Sequence, residues 1–164
     1  MIDKFVASVT QAVSDVRDGA TVMIGGFGQA GMPAELIDAL IAHGARDLTI
    51  VNNNAGNGDT GLAALLAQGK ETREIDGRHY VLEYPIHADY ALIKADRADR
   101  FGNLVYRKTA RNFGPIMASA AKCTIAQVRE KVELGDLDPE AIVTPGIFVH
   151  RVVEVRDRVR SRAA

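Results

Sequence analysis

Short apolar runs and helical spacing alternate along the first third of the chain. The runs Thr21–Ile24 and Asp47–Val51 are bounded by glycine or polar residues, as expected of strands buried in a parallel sheet. Between them, apolar residues at helical spacing begin after Pro33 and end at Gly44. Strand, helix and strand in this order predict a βαβ unit, with its two strands parallel and adjacent in the interior of the sheet.

The remaining elements follow from the same kinds of pattern. Apolar residues recur every three or four positions from Phe5 to Val16, which predicts a first helix. The pair Asp76-Gly77 between two strand-like runs, 71–75 and 78–83, predicts a hairpin. Other predicted elements are a short helix ending at Leu66, a helix over Pro115–Ala121, and strands over Tyr90–Lys94, Leu104–Tyr106, Cys123–Val128 and Ile147–Val153. Together they predict an α/β protein with an open, mostly parallel sheet and flanking helices.

A glycine-rich loop joins the first strand to the helix after it. The loop reads Gly25-Gly26-Phe27-Gly28-Gln29-Ala30-Gly31, and its glycines formally match the dinucleotide pattern G-x-G-x-x-G. Two residues argue against a dinucleotide. Asn52 ends the second strand where an acid should bind the ribose, and Pro33 delays the helix. The loop could still bring an extended ligand close to backbone N–H groups, or it could be a structural crossover.

Two polar runs are further candidates for ligand contacts. The loop after the second strand opens with Asn52-Asn53-Asn54, and carboxamides at this end of a parallel strand suit a carboxylate or a developing oxyanion. Asparagines also form plain polar turns, so both interpretations stay open. The run Arg107-Lys108-Thr109-Ala110-Arg111-Asn112 carries three positive charges. It suits an anionic ligand, although its composition favours a solvated turn.

Composition narrows the classes of function. The 164 residues suit one domain, and a net charge of −1 with nine aromatic residues (five Phe, four Tyr) disfavours a nucleic-acid partner. No apolar run is long enough for a membrane span, and a single cysteine, Cys123, indicates a reducing, cytoplasmic setting. The histidines lie apart, without metal-ligand spacing. Glycine loops and amide donors without an evident nucleophile suggest half of an active site.

The segment from Asp18 to Pro33 resembles the first signature of the family I coenzyme A transferases. Four later segments are similar to the same family: Val51–Gly56, Ala95–Leu104, Lys108–Phe113 and Ile142–Gly146. The resemblance runs over nearly the whole chain. It implies the fold of these enzymes and transfer of CoA from succinyl-CoA to a 3-oxo acid, with 3-oxoadipate as the first acceptor and acetoacetate as the alternative.

The resemblance also implies a divided active site. In this family the nucleophile is a glutamate in a Ser-Glu-Asn-Gly motif of a B subunit, and this sequence lacks that motif. No catalytic residue is therefore expected in this chain, and a B subunit is the expected partner. The CoA-binding stretch of the family corresponds to Gly25–Gly31, and Asn53 and Asn54 match positions near the reacting carboxylates. CoA is expected as a substrate, with no permanently bound cofactor and no metal.

One departure from the family concerns residues 67–71. Relatives carry several dozen more residues between Leu66 and Glu71, where this sequence has only Ala67-Gln68-Gly69-Lys70. We expect one domain over residues 1–164 and a stretch omitted near 67–71 rather than deleted in nature, because a deletion would expose apolar surface and strand edges. A real deletion would favour a non-catalytic acyl-CoA-binding module, and a dinucleotide-dependent oxidoreductase is the remaining alternative.

Overall fold

A computed structural model of the chain describes residues 2–27, 30–52, 72–81 and 86–155. The α-helices are α1 Val9–Val13, α2 Ala34–His43 and α3 Gly114–Ala120. The strands are β1 Thr21–Ile24, β2 Thr49–Val51, β3 Thr72–Ile75, β4 Arg78–Val81, β5 Ala88–Ala98, β6 Leu104–Val105, β7 Ala121–Lys131 and β8 Arg151–Glu154. Short 3₁₀ turns cover Lys108–Arg111, Pro139–Ala141 and Gly146–Phe148.

Five strands form a parallel sheet in the order β2-β1-β5-β7-β8, and β6 pairs antiparallel with β5. The predicted α/β class with an open, mostly parallel sheet is confirmed, and so is the parallel pairing of the first two strands. The predicted hairpin is also confirmed as the pair β3–β4, which forms a separate sheet. Its turn residues Asp76 and Gly77 both have positive φ, as a type I′ turn requires.

Helices cover both faces of the sheet. On one face, α1 and α2 pack against alternate residues of the strands, including Val22, Leu92 and Ile125. On the other face, α3 packs against the residues between them, including Met23 and Ile93. The sheet is therefore the middle of three layers, and the two cores lie above and below it. No helix in the described residues is long and apolar enough to cross a bilayer.

The expectation that β2 is an interior strand is wrong for the described residues. In that part of the chain β2 ends the strand order, with only β1 beside it. Ile50 is 50% exposed, and the neighbouring Ile41 of α2 is 73% exposed. A continuous apolar run predicts a strand that is buried on both faces and has neighbours on both sides. Here no described element covers the outer side of β2.

The predicted first helix over Phe5–Val16 is too long. Only Val9–Val13 is helical, and its start is capped by the Ser8 hydroxyl, which accepts from the Gln11 amide. Phe5 instead forms a parallel bridge with Val152, so the segment before α1 extends the sheet beyond β8. Backbone pairing with an open strand edge satisfies polar groups that a helix would have satisfied locally.

The last predicted strand, Ile147–Val153, begins too early. A 3₁₀ turn occupies Gly146–Phe148, where Ile147 is 81% exposed, and β8 itself is Arg151–Glu154. The other elements agree in type with the prediction but differ in length: β5 and β7 each have 11 residues. The predicted helix ending at Leu66 lies outside the described residues.

Candidate functional site

The order of the strands creates a crevice between β1 and β5. From β1 the chain crosses to β2 on one side, while β5 pairs with the other side of β1. At such a switch point the connections leave in opposite directions, and open α/β sheets bind ligands there, beyond the carboxyl ends of the strands. The loop Gly25–Gly31 leaves β1 at this edge. Leu92 of β5 pairs with Ile24, the last residue of β1, and β5 continues to Ala98.

A cavity of about 330 Å³ lies at this edge, and we call it the cationic cleft. It is lined by Ala30, Lys94, Ala95, Asp96, Tyr106, Arg107, Lys108, Thr109, Ala110 and Arg129. Four of these side chains are cations and only Asp96 is an anion. Arg129 donates to Asp96 with Nε–Oδ1 at 2.9 Å. No ion pair of Lys94, Arg107 or Lys108 occurs within the described residues.

Side chains alternate between the two faces of each strand, and this alternation explains why polar groups meet at the cleft. Leu92 and Ile125 point into the core under α1 and α2. Every second residue of a strand faces the same way, so Lys94 and Asp96 of β5 and Arg129 of β7 continue that face. They lie beyond the stretch that β1 pairs with, which ends at Leu92. The same face is therefore apolar under the helices and charged at the carboxyl edge.

Four of the five described amides of the glycine loop already have acceptors within the chain. Gly25 N–H donates to the Leu92 carbonyl, and Gly26 N–H donates to Asn112. Phe27 and Ala30 donate to each other's carbonyl oxygens, with N–O distances of 3.0 and 3.2 Å. A ligand can use these four amides only by breaking a bond that exists. Gly28 and Gln29 lie outside the described residues, and their predicted contact with CoA stays a prediction.

Asn112 joins the glycine loop to the basic segment 107–112. Its Oδ1 accepts from the amides of Gly26 and Phe113 at 3.2 and 2.6 Å. Its Nδ2 donates to the Ala30 carbonyl at 2.9 Å and to the Thr109 carbonyl at 3.2 Å. One carboxamide thus holds both ends of the described loop against one wall of the cleft. The basic run is therefore more than the solvated turn that its composition favours.

Gly31 allows the close approach between this loop and that wall. Its φ is +71°, and a Cβ built on it would lie 2.2 Å from the Ala110 carbonyl oxygen. In the basic segment 107–112, which forms that wall, Lys108 and Asn112 also have positive φ, at 51° and 22°. Non-glycine residues rarely adopt such values, and strained backbone is concentrated at functional sites.

The start of α2 does not offer a free anion site. Glu35 lies in its first turn and supplies the negative charge that a helix N-terminus favours. Gln127 of β7 donates to the Glu35 carboxylate and accepts from the Leu36 amide. The negative charge that this helix N-terminus favours is therefore supplied by the chain itself, and the cations of the cleft are the better candidates for binding an anionic ligand.

The oxygen groups that line the cleft are one carboxylate and two hydroxyls, and the carboxylate, Asp96, is paired with Arg129. Tyr106 lines it, and its hydroxyl lies 2.8 Å from Thr144 Oγ1. Burial raises the pKa of Tyr106 to about 12, so the phenol stays protonated at neutral pH. Burial also raises the pKa of the Cys123 thiol, which disfavours a reactive thiolate. No cluster of metal-ligating side chains occurs in the part of the chain that the structure describes.

The predicted site residues divide into two groups. Gly25, Gly26, Phe27, Ala30 and Gly31 lie at the carboxyl edge of β1, beside the cleft. Gly28, Gln29, Asn53 and Asn54 lie outside the described residues.

Sequence reasoning missed several side chains that form the cleft. These are Lys94, Asp96, Tyr106 and Arg129, together with the positioning role of Asn112. A signal for three of them was available. Lys94 and Asp96 follow the apolar Leu92 at alternate positions of one strand, and Arg129 follows Ile125 and Gln127 in the same way on another.

Comparison with known proteins gives the family. A family model described as "Coenzyme A transferase" matches residues 6–71 and 59–155. The A subunit of a 3-oxoadipate CoA-transferase from Pseudomonas putida is 50% identical over 228 residues, covering 100% of this chain and 99% of the relative. The A subunit of a succinyl-CoA:3-ketoacid coenzyme A transferase from Helicobacter pylori is 35% identical, covering 92% of each chain.

Solved structures agree on the fold. An acyl-CoA transferase from E. coli O157:H7, solved as a thioester complex with CoA, superposes with a TM-score of 0.75 at 17% identity, over 96% of this chain and 48% of that one. At this identity the likeness concerns the fold alone. The family model and the full-length relatives carry the assignment: this chain belongs to the coenzyme A transferase family.

Proposed function

We propose that this chain is the A subunit of a two-subunit enzyme that transfers CoA from succinyl-CoA to 3-oxoadipate. The observation that carries the proposal is the 50% identity to the A subunit of a 3-oxoadipate CoA-transferase, over 99% of that relative's length. The cleft supports it, since Lys94, Arg107 and Lys108 gather at the switch point, while the carboxylate that lines the cleft, Asp96, is paired with Arg129. Such an arrangement recognises anions and leaves the covalent chemistry to another chain.

The proposed reaction passes through the glutamate of the B subunit. That carboxylate attacks the thioester carbonyl of succinyl-CoA, the C–S bond breaks and CoA thiolate leaves, giving a mixed anhydride. The thiolate then attacks the glutamyl carbonyl and succinate departs, which leaves a glutamyl-CoA thioester. The 3-oxoadipate carboxylate repeats these steps in reverse and carries the CoA away. Each step creates an oxyanion, so neutral donors and exclusion of water favour it.

In this proposal the loop Gly25–Gly31 contacts CoA, while Asn53 and Asn54 contact the reacting carboxyl group. The support for the loop is its position at the carboxyl edge of β1, where ligands bind in open α/β sheets. The support for the asparagines is that Asn52, directly before them, donates to the Ile24 carbonyl at 3.2 Å. The polar run therefore starts at the same edge as the glycine loop.

A second acceptor, acetoacetate, is favoured by the 35% identical relative from Helicobacter pylori. The two acids are tested side by side, with the purified complex of both subunits and succinyl-CoA. Under our proposal 3-oxoadipate has the higher kcat/KM. A higher value for acetoacetate would assign the chain to the alternative. Binding of acyl-CoA without transfer to either acid would favour a non-catalytic binding module.

We also propose that the natural protein carries a further internal segment near residues 59–71. The two family-model matches overlap at 59–71, and the alignment to the Pseudomonas relative spans 228 residues against 164 here. The exposed edge of β2 supports the same proposal, because Ile24, Ile37, Ile41 and Ile50 border an open apolar groove there. The intact mass of the protein isolated from its source tests this, since a chain of 164 residues would contradict it.

A further inference from the structure

We propose that the cationic cleft binds the terminal anionic group of the substrate, a carboxylate or a phosphate remote from the reacting thioester. This inference rests on the proposed function, because it takes the substrates to be acyl-CoA and a dicarboxylic acid. It goes beyond that function by assigning a site to Lys94, Arg107 and Lys108, which lie on β5 and on the segment that follows β6.

The balance of charges in the cleft favours binding of an anion. Asp96 is bound by Arg129 through two contacts, Nε–Oδ1 at 2.9 Å and Nη2–Oδ2 at 3.5 Å. It therefore already has a cation of its own. Lys94 is half-buried against the sheet and no described carboxylate pairs with it. A bound anion would therefore gain a charge-assisted contact with an ammonium that no described carboxylate already holds.

The backbone conformation of the basic segment holds Lys108 at the cleft. Lys108 has a φ of +51°, and the segment that holds it is fixed by Asn112 to Gly26 and Ala30. An exposed lysine in a solvated turn has no need of this conformation. Here it places Lys108 on the wall of the cavity that Lys94 lines from the sheet. Cations from two separate elements thus border the same space, where both could contact one anion.

The size of the cavity limits the ligand. A volume of about 330 Å³ is at the lower end for small-molecule sites, and it suits a short acid or one phosphate group rather than a whole CoA. Ala30 of the glycine loop also lines it, so the bound group would lie next to the stretch proposed to contact CoA. Both the distal carboxylate of a C4 or C6 dicarboxylate and a CoA phosphate satisfy this chemistry.

The chain offers a matched control at the opposite ends of the strands, the amino ends. Lys122 near the start of β7 pairs with Asp89 near the start of β5, with Nζ–Oδ1 at 2.9 Å. Its side chain is 77% exposed. Lys122→Gln removes the same charge from the same sheet, but at the amino ends of the strands and away from the cleft.

The experiment measures KM and kcat of the full complex with Lys94→Gln, Lys94→Arg and Lys122→Gln. Loss of one charge-assisted contact is expected to raise KM about tenfold. If the bound group is the distal carboxylate, Lys94→Gln raises KM for 3-oxoadipate but not for acetoacetate. If it is a CoA phosphate, Lys94→Gln raises KM for succinyl-CoA and loses this effect with its 3′-dephospho form. Lys94→Arg restores either value, and Lys122→Gln changes neither.

Three results decide against the inference. The inference is overturned if KM is unchanged for all substrates in both Lys94→Gln and Lys108→Gln. Lys108 is exposed, so its replacement should not affect folding. A fall in kcat alone would point to a structural role and would also overturn it. Should the wild-type complex transfer no CoA, the proposed function fails instead, and calorimetry with adipate, butyrate and CoA then tests the cleft alone. Equal binding of all three to wild type and Lys94→Gln would contradict the site.

Discussion

Gly31 and Gly44 show how similar backbone angles serve different purposes. Both have a left-handed φ, +71° and +80°. Gly44 ends α2, where a Cβ would meet no atom within 4 Å. At Gly31 a Cβ would overlap the Ala110 carbonyl. The sequence predicts glycines in turns, but only the folded chain shows that Gly31 is also a packing contact between the loop and the basic segment.

Gly31→Ala is expected to lower the free energy of unfolding by about 3 kcal/mol, because it adds a steric clash to the cost of a left-handed alanine. The matched control Gly44→Ala carries only the conformational cost, about 1 kcal/mol. Urea unfolding of both variants measures the difference. An equal loss in the two would mean that the loop moves freely away from Ala110.

Asn53 and Asn54 test the proposed oxyanion contact at the scale of single side chains. Replacing either by Ala is expected to lower kcat of the complex by about 3 kcal/mol of transition-state stabilisation and to change KM much less. Initial rates with 3-oxoadipate and succinyl-CoA give both constants. A loss of thermal stability with kcat per folded enzyme unchanged would instead make these residues turn formers.

Among the elements, α1 depends on contacts that no local pattern predicts. Arg151 of β8 donates to the Ala12 carbonyl at 2.9 Å and forms a two-point ion pair with Asp15. The apolar spacing from Phe5 to Val16 suits a long helix, yet pairing of Phe5 with Val152 shortens it. Local spacing therefore predicts the type of this element, and long-range pairing sets its length.

The Asp15 contact gives a pH-dependent prediction. Hydrogen bonds from Arg151 lower the pKa of the Asp15 carboxyl below 3.8. The carboxylate therefore adds stability above that pH and loses it as the pH falls through the folded-state value. Asp15→Asn is expected to lower the free energy of unfolding at pH 7 by about 1 kcal/mol, since the pair is half-exposed. Urea unfolding from pH 7 to 3 should show wild type and variant converging.

Asp136→Asn is the control for this comparison. Asp136 is exposed and forms no ion pair in the part of the chain that is described. Its replacement should leave the difference from wild type small at every pH. A gap between wild type and Asp15→Asn that widened on acidification would contradict the sign of the Asp15 effect.

Strands were predictable where turn residues bound them, as with the apolar run of β1 and with the separate hairpin at Asp76-Gly77. The order of the strands in the sheet was harder to predict from the sequence. A βαβ unit fixes the parallel pairing of β1 and β2, but nothing local shows that β5 returns to the other side of β1. The cleft depends on that return. The alternation along each strand could have singled out Lys94 and Arg129, but that they line one cleft is known only from the topology.

At the scale of the whole molecule, the carboxyl edge of the sheet gathers polar groups that suit an anionic ligand. The polar groups there include three cations, one ion pair and a neutral phenol. Within the described residues no strand pairs with the outer edge of β2, and the groove beside it is apolar. Both observations agree with a protein whose site is completed by further chain, from the proposed internal segment and from the proposed B subunit.

The most direct test compares three samples in the presence of succinyl-CoA and 3-oxoadipate: the full chain by itself, the B subunit by itself, and both together. The measured quantity is the initial rate of 3-oxoadipyl-CoA formation. We predict no transfer by either protein in isolation, and transfer by the mixture that disappears when the glutamate of the B subunit is replaced by glutamine. Transfer by this chain in isolation would contradict the divided active site, as would an inactive mixture in which the two proteins form a stable complex.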